Sequence, residues 1–316
     1  MKRYVALLSM IAFVLFLAAC GSSNDNTSND SGDDSSEESE ESRKIEHEMG
    51  ETEITGTPEN IVALEFSFVD NLASLGITPA GIADDEDSER IIEPIREKIG
   101  DYTSVGTRKQ PSLEVISSLQ PDLIIADYQR HQDIYDQLSE IAPTIILPSL
   151  AADYQGIVDS FETVAKAVGK EEEGQEVLEE HKSKMEELRS QVPEDESRTV
   201  LPAVVADSGY FAHNFESYTG SLLESIGLEN AIQSGDARYN KINLEQIVEI
   251  DPDVMFHMVA GDQTVVDEWK ENDLYQQVSA VQEEQVYEVD RNMWSRFRGL
   301  ISSEQILEDA INHLYE

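Results

Sequence analysis

Arginine is scarce in this sequence and unevenly placed. Only 12 of its 316 residues are Arg, against 65 Asp and Glu, yet four of them fall in three short loops beside apolar runs. Arg108 stands in Val105-Gly106-Thr107-Arg108-Lys109-Gln110-Pro111, and Arg130 precedes His131 in Ala126-Asp127-Tyr128-Gln129-Arg130-His131. Arg296 and Arg298 lie in Met293-Trp294-Ser295-Arg296-Phe297-Arg298-Gly299-Leu300, and Arg238 follows Gly235 beside Tyr239. A guanidinium is planar, permanently charged, and matches a carboxylate with two parallel hydrogen bonds. Converging guanidiniums would suit a small carboxylate-rich anion. Any one of them alone reads equally well as a surface arginine paired with an abundant acid; four at once are harder to explain so.

Aromatic residues accompany them. Trp294 and Phe297 interleave with Arg296 and Arg298, and Tyr210, Phe211, His213, Phe215 and Tyr218 follow an apolar run, Ala203–Ala206. Aromatic walls with a few polar groups describe a small-molecule pocket, for which Tyr210 and Trp294 are the candidates. A core cluster is the alternative, above all for Phe211 and Phe215. Other chemistries find less support. The six histidines are scattered without His-x-x-His spacing, and one cysteine cannot make a thiolate metal site or an internal disulfide. Neither a Gly-x-Ser-x-Gly elbow nor a phosphate-binding glycine loop occurs, so catalysis by this chain is not expected. A formal charge of −43 excludes nucleic acid as the main partner, since phosphate binding needs a basic footprint.

The elements that must position these loops alternate between strand and helix. Ile61–Leu64, Leu123–Ala126 and Thr144–Leu147 are short apolar runs; helical spacing covers Val69–Leu75 and 132–141, and Pro111–Ile116 reads as a short helix. That alternation means mainly parallel sheet with helices on its faces. A passage recurs 131 residues on: Leu113-Glu114-Val115-Ile116, with Pro121-Asp122 before a strand, matches Leu244-Glu245-Gln246-Ile247 with Pro252-Asp253. Leu72–Ile77 likewise resembles Leu223–Leu228, so two similar α/β lobes are expected. Between them, Glu171–Gln191 holds helix formers without proline, and Val177, His181, Met185 and Leu188 share one face. Its 21 residues would span ~31 Å as one rigid connection.

The N-terminus decides location. After Lys2 and Arg3, the run Tyr4–Ala19 is apolar apart from Tyr4 and Ser9. As a helix it reaches ~24 Å, short of the ~30 Å hydrocarbon core. Leu17-Ala18-Ala19-Cys20 resembles the bacterial lipobox, in which the cysteine receives a diacylglyceryl group before cleavage on its N-terminal side. Residues 1–19 are thus expected to be a signal peptide and Cys20 the lipidated start of the mature chain. Residues 22–42 carry no apolar side chain, and 20–53 is expected to be anchor and disordered acidic tether.

The order of lipobox, acidic tether, α/β lobe (54–168), long helix (169–193) and second α/β lobe (194–316) resembles the substrate-binding lipoproteins of bacterial iron–siderophore ABC importers. The resemblance implies two Rossmann-like α/β lobes joined by a single long backbone helix. It also implies a monomeric, non-enzymatic receptor without cofactor, on the outer face of the cell membrane of a Gram-positive bacterium. Its partners would be permease subunits powered by a separate ATPase. In that family the glutamate of each Leu-Glu-x-Ile passage docks an arginine pocket of the permease, which lands on Glu114 and Glu245. A capping glutamate that only steadies its helix is the alternative for each. Gly106-Thr107-Arg108-Lys109-Gln110-Pro111-Ser112-Leu113-Glu114, Arg130-His131 and Trp294–Ile301 look like the ferric-dicitrate type rather than the cationic-hydroxamate type. The ligand would then be an iron(III) chelate bound through Arg108, Arg130, His131, Tyr210, Arg238, Trp294, Arg296 and Arg298, with no direct metal ligands. Haem or cobalamin is the alternative ligand class. A lipid-anchored extracellular hydrolase is the rival from another class.

Overall fold

A computed structural model describes residues 42–316 apart from 234 and 236. Cys20, the signal peptide and the tether up to residue 41 lie outside the described residues. Two sheets of five strands organise the rest. In the N-terminal lobe the order is Thr103–Ser104, Gly81–Ile82, Ile61–Ala63, Leu123–Asp127, Thr144–Leu147, parallel throughout. Its central strands are buried along their whole length, as strands covered by helices on both faces must be. The C-terminal lobe orders Tyr239–Ile242, Gly209–His213, Val200–Ala206, Val254–Ala260, Val286–Val289. Here the last three are parallel, but Gly209–His213 turns straight back on Val200–Ala206. Only Asp207 and Ser208 separate the two strands, and Gly209 takes the positive φ (147°) that the reversal demands.

The internal repeat is real in space. Helix Leu113–Ser118 leads into strand Leu123–Asp127, and helix Leu244–Ile250 into strand Val254–Ala260. Ser112 caps the first helix by accepting from Val115 N–H; Asn243 and Gln246 form a capping box on the second. Helices Phe66–Ser74 and Tyr218–Ser225 both end in a glycine at positive φ, Gly76 and Gly227. Residues 132–141, expected as one helix, instead form a 3₁₀ turn, Gln132–Ile134, and a short helix, Tyr135–Ser139.

The connecting helix spans Glu171–Gln191, with Val177 and Leu178 against the N-terminal core and Leu188 inside the C-terminal one. At its middle, buried His181 bonds Glu304 (2.6 Å) and the Tyr154 hydroxyl (2.7 Å). Two further helices also span both cores. Tyr154–Ala167 places Ile157 in the C-terminal core and Phe161 and Val164 in the N-terminal one. The terminal helix, Leu300–Tyr315, sends Leu300 and the preceding Phe297 into the N-terminal core, and Ile306, Leu307 and Ala310 into the other. Residues 297–301 therefore do not stay with the lobe assigned to 194–316.

The tether ends earlier than its composition suggests. Ser42–His47 and Gly50–Thr55 form an antiparallel hairpin, with Ile45 and Ile54 buried in the N-terminal core. Thr52 Oγ1 donates to Thr144 O (2.8 Å) and Glu48 N–H to Ile146 O (3.1 Å), which covers the edge of the sheet. Two isoleucines among charged residues are too sparse a signal to separate from a tether. Ile54→Ala is expected to cost ~2–4 kcal/mol in urea unfolding with an unchanged m-value. Loss below ~0.5 kcal/mol would show that the hairpin is not part of the cooperative unit.

Candidate functional site

Glu65 leaves the central strand Ile61–Ala63 of the N-terminal lobe and begins the helix Phe66–Ser74, with no exposure to solvent. Oε1 accepts from Phe66 N–H (3.1 Å) and Arg108 Nη1 (2.7 Å), and Oε2 from Arg130 Nε (2.6 Å). Burial alone would push this carboxyl up. The charges of Arg108, Arg130 and Arg298 outweigh it and hold Glu65 below the ordinary glutamate range. Asp85, in the left-handed region at φ 62°, accepts from Arg108 Nε (3.1 Å), Arg108 Nη2 (2.7 Å) and Arg90 Nη1 (2.6 Å). Burial opposes its ionisation too, but the Arg108 and Arg90 bonds hold it well below the carboxylate range. The Arg108 guanidinium lies 4.2 Å from the centre of the Phe66 ring, whose other partner is Phe297, stacked at 4.7 Å.

His131 sits behind this layer. Its Nδ1 accepts from Asp127 N–H (3.0 Å), so Nε2 carries the proton and donates to Arg108 O (2.8 Å). Burial pushes its pKa down, which keeps it neutral. It therefore props the Arg108 loop from beneath.

The segment after strand Val286–Val289 supplies the next cations. Asn292–Arg296 makes one π-type turn, a feature frequent at functional sites. Arg296, half-buried, donates to Asn292 Oδ1. Burial, followed by the charges of Arg291, Arg90 and Arg108, pushes Arg296 down to about 10. Arg291 is lowered by burial and by Arg90 and Arg108. Arg298 donates Nη2 to Ser295 O (2.8 Å), and its charge is felt by Glu65 of one lobe and His213 of the other. The antiparallel strands Gly209–His213 and Tyr239–Ile242 set His213 opposite Tyr239, their rings edge-on at 4.7 Å. Tyr239 Oη reaches across to Leu150 O of the N-terminal lobe (3.5 Å). Burial and then Arg298 drive His213 down to about 3, so it is neutral at any physiological pH.

Arg238 Nη1, Arg291 Nε, Arg298 Nη1, His213 Nδ1 and Asn214 Nδ2 are all buried and bond nothing among the described residues. Buried polar groups are nearly always satisfied, so the four guanidinium and amide N–H-bearing atoms, with the His213 ring nitrogen beside them, leave this cluster short of acceptors. Arg90, Arg108 and Arg130 pair with Glu65, Asp85 and Asp87, whereas the nearby Arg291, Arg296 and Arg298 make no ion pair among the described residues. A groove of about 550 Å³ beside Lys44, Glu162 and Gln175, and another of about 510 Å³ beside His257 and Tyr275, include none of these arginines.

Residues 61–293 match the model of the periplasmic binding protein family. The chain belongs to that family. This binding protein is 47% identical over 273 residues to the Fe(3+)-citrate-binding protein YfmC of Bacillus subtilis, a match covering 86% of each chain. It is 38% identical over 267 residues to the Fe(3+) dicitrate-binding periplasmic protein FecB of Escherichia coli, covering 84% of this chain and 88% of that one. Among solved structures, Staphylococcus aureus SirA complexed with staphyloferrin B superposes with a TM-score of 0.76 at 25% identity, over 86% of this chain and 98% of that one.

Of the residues expected at a binding site, the structure brings Arg108, Arg130 and Arg298 around Glu65, and Arg296 beside them. Arg238 adjoins His213 through the Asn214 N–H bond to its carbonyl (3.0 Å). Tyr210 and Trp294 go elsewhere. Tyr210 is fully buried in the C-terminal core, stacked on Trp269 (5.7 Å) and edge-on to His257 (5.4 Å), because strand alternation turns it to the sheet's covered face. Trp294 packs on Phe256 (4.8 Å) and donates Nε1 to Asp309 (2.7 Å), which closes it in the core. Glu114 and Glu245 are exposed, each two residues past a capped helix start and without an ion pair among the described residues. Sequence reasoning missed Glu65, Asp85, Arg90, Arg291 and the role of His213. For Arg291 its spacing from Arg296 and Arg298 is the signal that was there to find.

Glu65→Ala would strand buried guanidiniums and is expected to cost ~3–5 kcal/mol in urea unfolding near pH 7. A carboxyl depressed in the folded state stabilises fully above its unfolded pKa of about 4.3 and loses that contribution as pH falls through the folded value. The penalty should therefore shrink toward pH 3. An undiminished penalty there would assign the loss to a cavity rather than to charge.

Proposed function

We propose that this chain is the lipid-anchored, extracytoplasmic receptor of an ABC importer. It captures an iron(III)–siderophore complex, ferric citrate or a citrate-based carboxylate chelate, and delivers it to a permease driven by a separate ATPase. The observation that carries this reading is the excess of guanidiniums with buried, unpartnered N–H groups at Arg238, Arg291 and Arg298. A chelate presents its outer carboxylate oxygens as acceptors with net negative charge, which is what such donors lack. Iron is already wrapped by the chelator, so the protein needs no metal ligand of its own. The names of YfmC and FecB support the same ligand class. Glu65 and Asp85 keep Arg108 and Arg130 in fixed orientations, which lowers the ordering cost of binding. Neutral His213 and the Asn214 amide add donors without adding charge. Leu17–Cys20 supports the lipid anchor.

The exposed first-turn positions of Glu114 and Glu245, one per lobe, support docking on a permease through arginines, where a free carboxylate accepts bidentate bonds. Binding and delivery thus use separate residues.

Intrinsic tryptophan fluorescence of the soluble domain, titrated with iron(III) citrate, citrate alone and haem, tests the ligand class. Saturation by iron(III) citrate is expected. Saturation by haem alone would sink the reading. Arg298→Ala is expected to weaken binding by about 10²-fold or more, the size of losing a charge-assisted bidentate contact. Glu114→Ala should leave affinity unchanged and abolish uptake by cells; loss of affinity in that variant would mean that Glu114 does not act in docking.

A further inference from the structure

The segment Met293–Gly299 carries Arg296 and Arg298 and follows a strand of the C-terminal lobe, yet much of what fixes it comes from the other lobe. Helix Phe66–Ser74 of the N-terminal lobe grips it twice. Phe66 stacks on Phe297 with the rings 4° from parallel. One turn further along the same helix, Asp70 Oδ1 accepts from Ile301 N–H (3.0 Å) and Oδ2 from Ser302 N–H (2.9 Å). These are first-turn N–H groups of the terminal helix, whose own N-cap, Gly299, has no side chain to satisfy them. The cap is thus supplied from across the fold. A Cβ on Gly299 would lie 2.1 Å from Asp70 Cγ, so only glycine leaves room for it. On the opposite side, Tyr218 Oη bonds Ser303 Oγ (2.8 Å) and lies 3.4 Å from Gly299 N and O.

We propose that Asp70 is a positioning residue for ligand capture: its charged carboxylate, capping the helix Leu300–Tyr315 from the other lobe, fixes the place of Arg296 and Arg298. This rests on the reading of the arginine cluster as the chelate site. Burial lifts the Asp70 carboxyl to about 6, despite the bonds from Ser302 and Ile301 and the charge of His181. The folded chain therefore holds a proton here more readily than the unfolded chain, and Asp70's contribution to stability falls as pH rises from about 4 to about 6. Ionised Asp70 costs the fold something at neutral pH. What it provides is two acceptors facing two N–H groups; once protonated, one oxygen becomes a donor and cannot face an N–H. The titratable groups around it are His181 on the connecting helix, paired with Glu304 and Tyr154, and Tyr218 on Tyr218–Ser225.

Asp70→Asn and Gly299→Ala test this with iron(III) citrate as probe. Near pH 7.5, Asp70→Asn is expected to stay folded yet bind about five- to tenfold more weakly, the size of effect expected of a residue that acts on affinity through its neighbours. Wild-type affinity should decline toward pH 5 more steeply than that of Asp70→Asn, so that the two converge. Gly299→Ala keeps the carboxylate but takes its place, and should show the same weakening at neutral pH. Equal affinities near pH 7.5 would overturn the proposal. So would an undiminished pH dependence in Asp70→Asn. If wild-type protein binds no iron(III) citrate, the proposed function fails, and Asp70 is judged by ligand-free hydrogen exchange. Faster exchange of the amides of 297–303 in Asp70→Asn than in wild type at one pH supports the positioning role, and equal exchange overturns it.

Discussion

A carboxylate with no access to water stands at the end of the first central strand, and the site is arranged around it. Glu65 binds Arg108 at 2.7 Å and Arg130 at 2.6 Å, and Arg298 acts on it from the far segment of the chain. Buried guanidiniums without a counter-ion would cost several kcal/mol each. One shared anion makes their assembly tolerable without cancelling it. The residual cost is visible in Arg291 and Arg296, both depressed by burial and then by their neighbours' charges, the latter to about 10. That value still leaves Arg296 charged at neutral pH. A polyanion entering the cluster would relieve the mutual repulsion of these groups, so part of the attraction for a ligand is stored in the empty-handed donors themselves.

This local sign is opposite to that of the whole chain. At −43, the molecule repels an anion from a distance, but salt screens that field beyond about 8–10 Å. Twelve of the 65 acids fall between Asp25 and Glu53, so the rest belong to the remainder of the chain, mainly the lobes. Around Glu65 the near field is set by guanidiniums that are themselves partly shielded from water, where the same charges act more strongly. The acidic shell and the basic site thus serve different ranges, and the shell does not argue against an anionic ligand.

How far the sequence could be read follows from what kind of signal each feature leaves. The repeat of Leu113–Pro121 in Leu244–Pro252 and the uninterrupted Glu171–Gln191 are long patterns, and they yielded the repeated helix–strand unit and the bounds of the connecting helix. Arginine was legible because it is rare here. Glu65 and Asp85 were not, since each is one acid among 65 and only burial distinguishes them. Tyr210 and Trp294 misled for the complementary reason: aromatic side chains satisfy a core as readily as a pocket, and strand direction decides between them. His131 was found for the wrong role, since adjacency to Arg130 in sequence does not tell that its ring faces the Arg108 carbonyl.

The joining of the lobes bears on how much the site can adapt. Three helices, not one, place side chains in both cores, through Ile157 and Phe161, Leu178 and Leu188, and Leu300 and Leu307. A wide hinge opening would have to withdraw such side chains from one core or the other, at roughly 1.5–3 kcal/mol for each one exposed. Only small displacements keep all of them buried. On the proposed function, selectivity would then come mostly from donors already in position, with little contributed by closure onto the ligand. That agrees with the way the cluster is built: Glu65 and Asp85 orient Arg108 and Arg130 from below, and the stack of Arg108, Phe66 and Phe297 carries the same order across to the segment bearing Arg298. A rigid frame can keep like charges together only by holding each guanidinium in place, and in that sense the three-helix junction and the shared carboxylate are parts of one constraint.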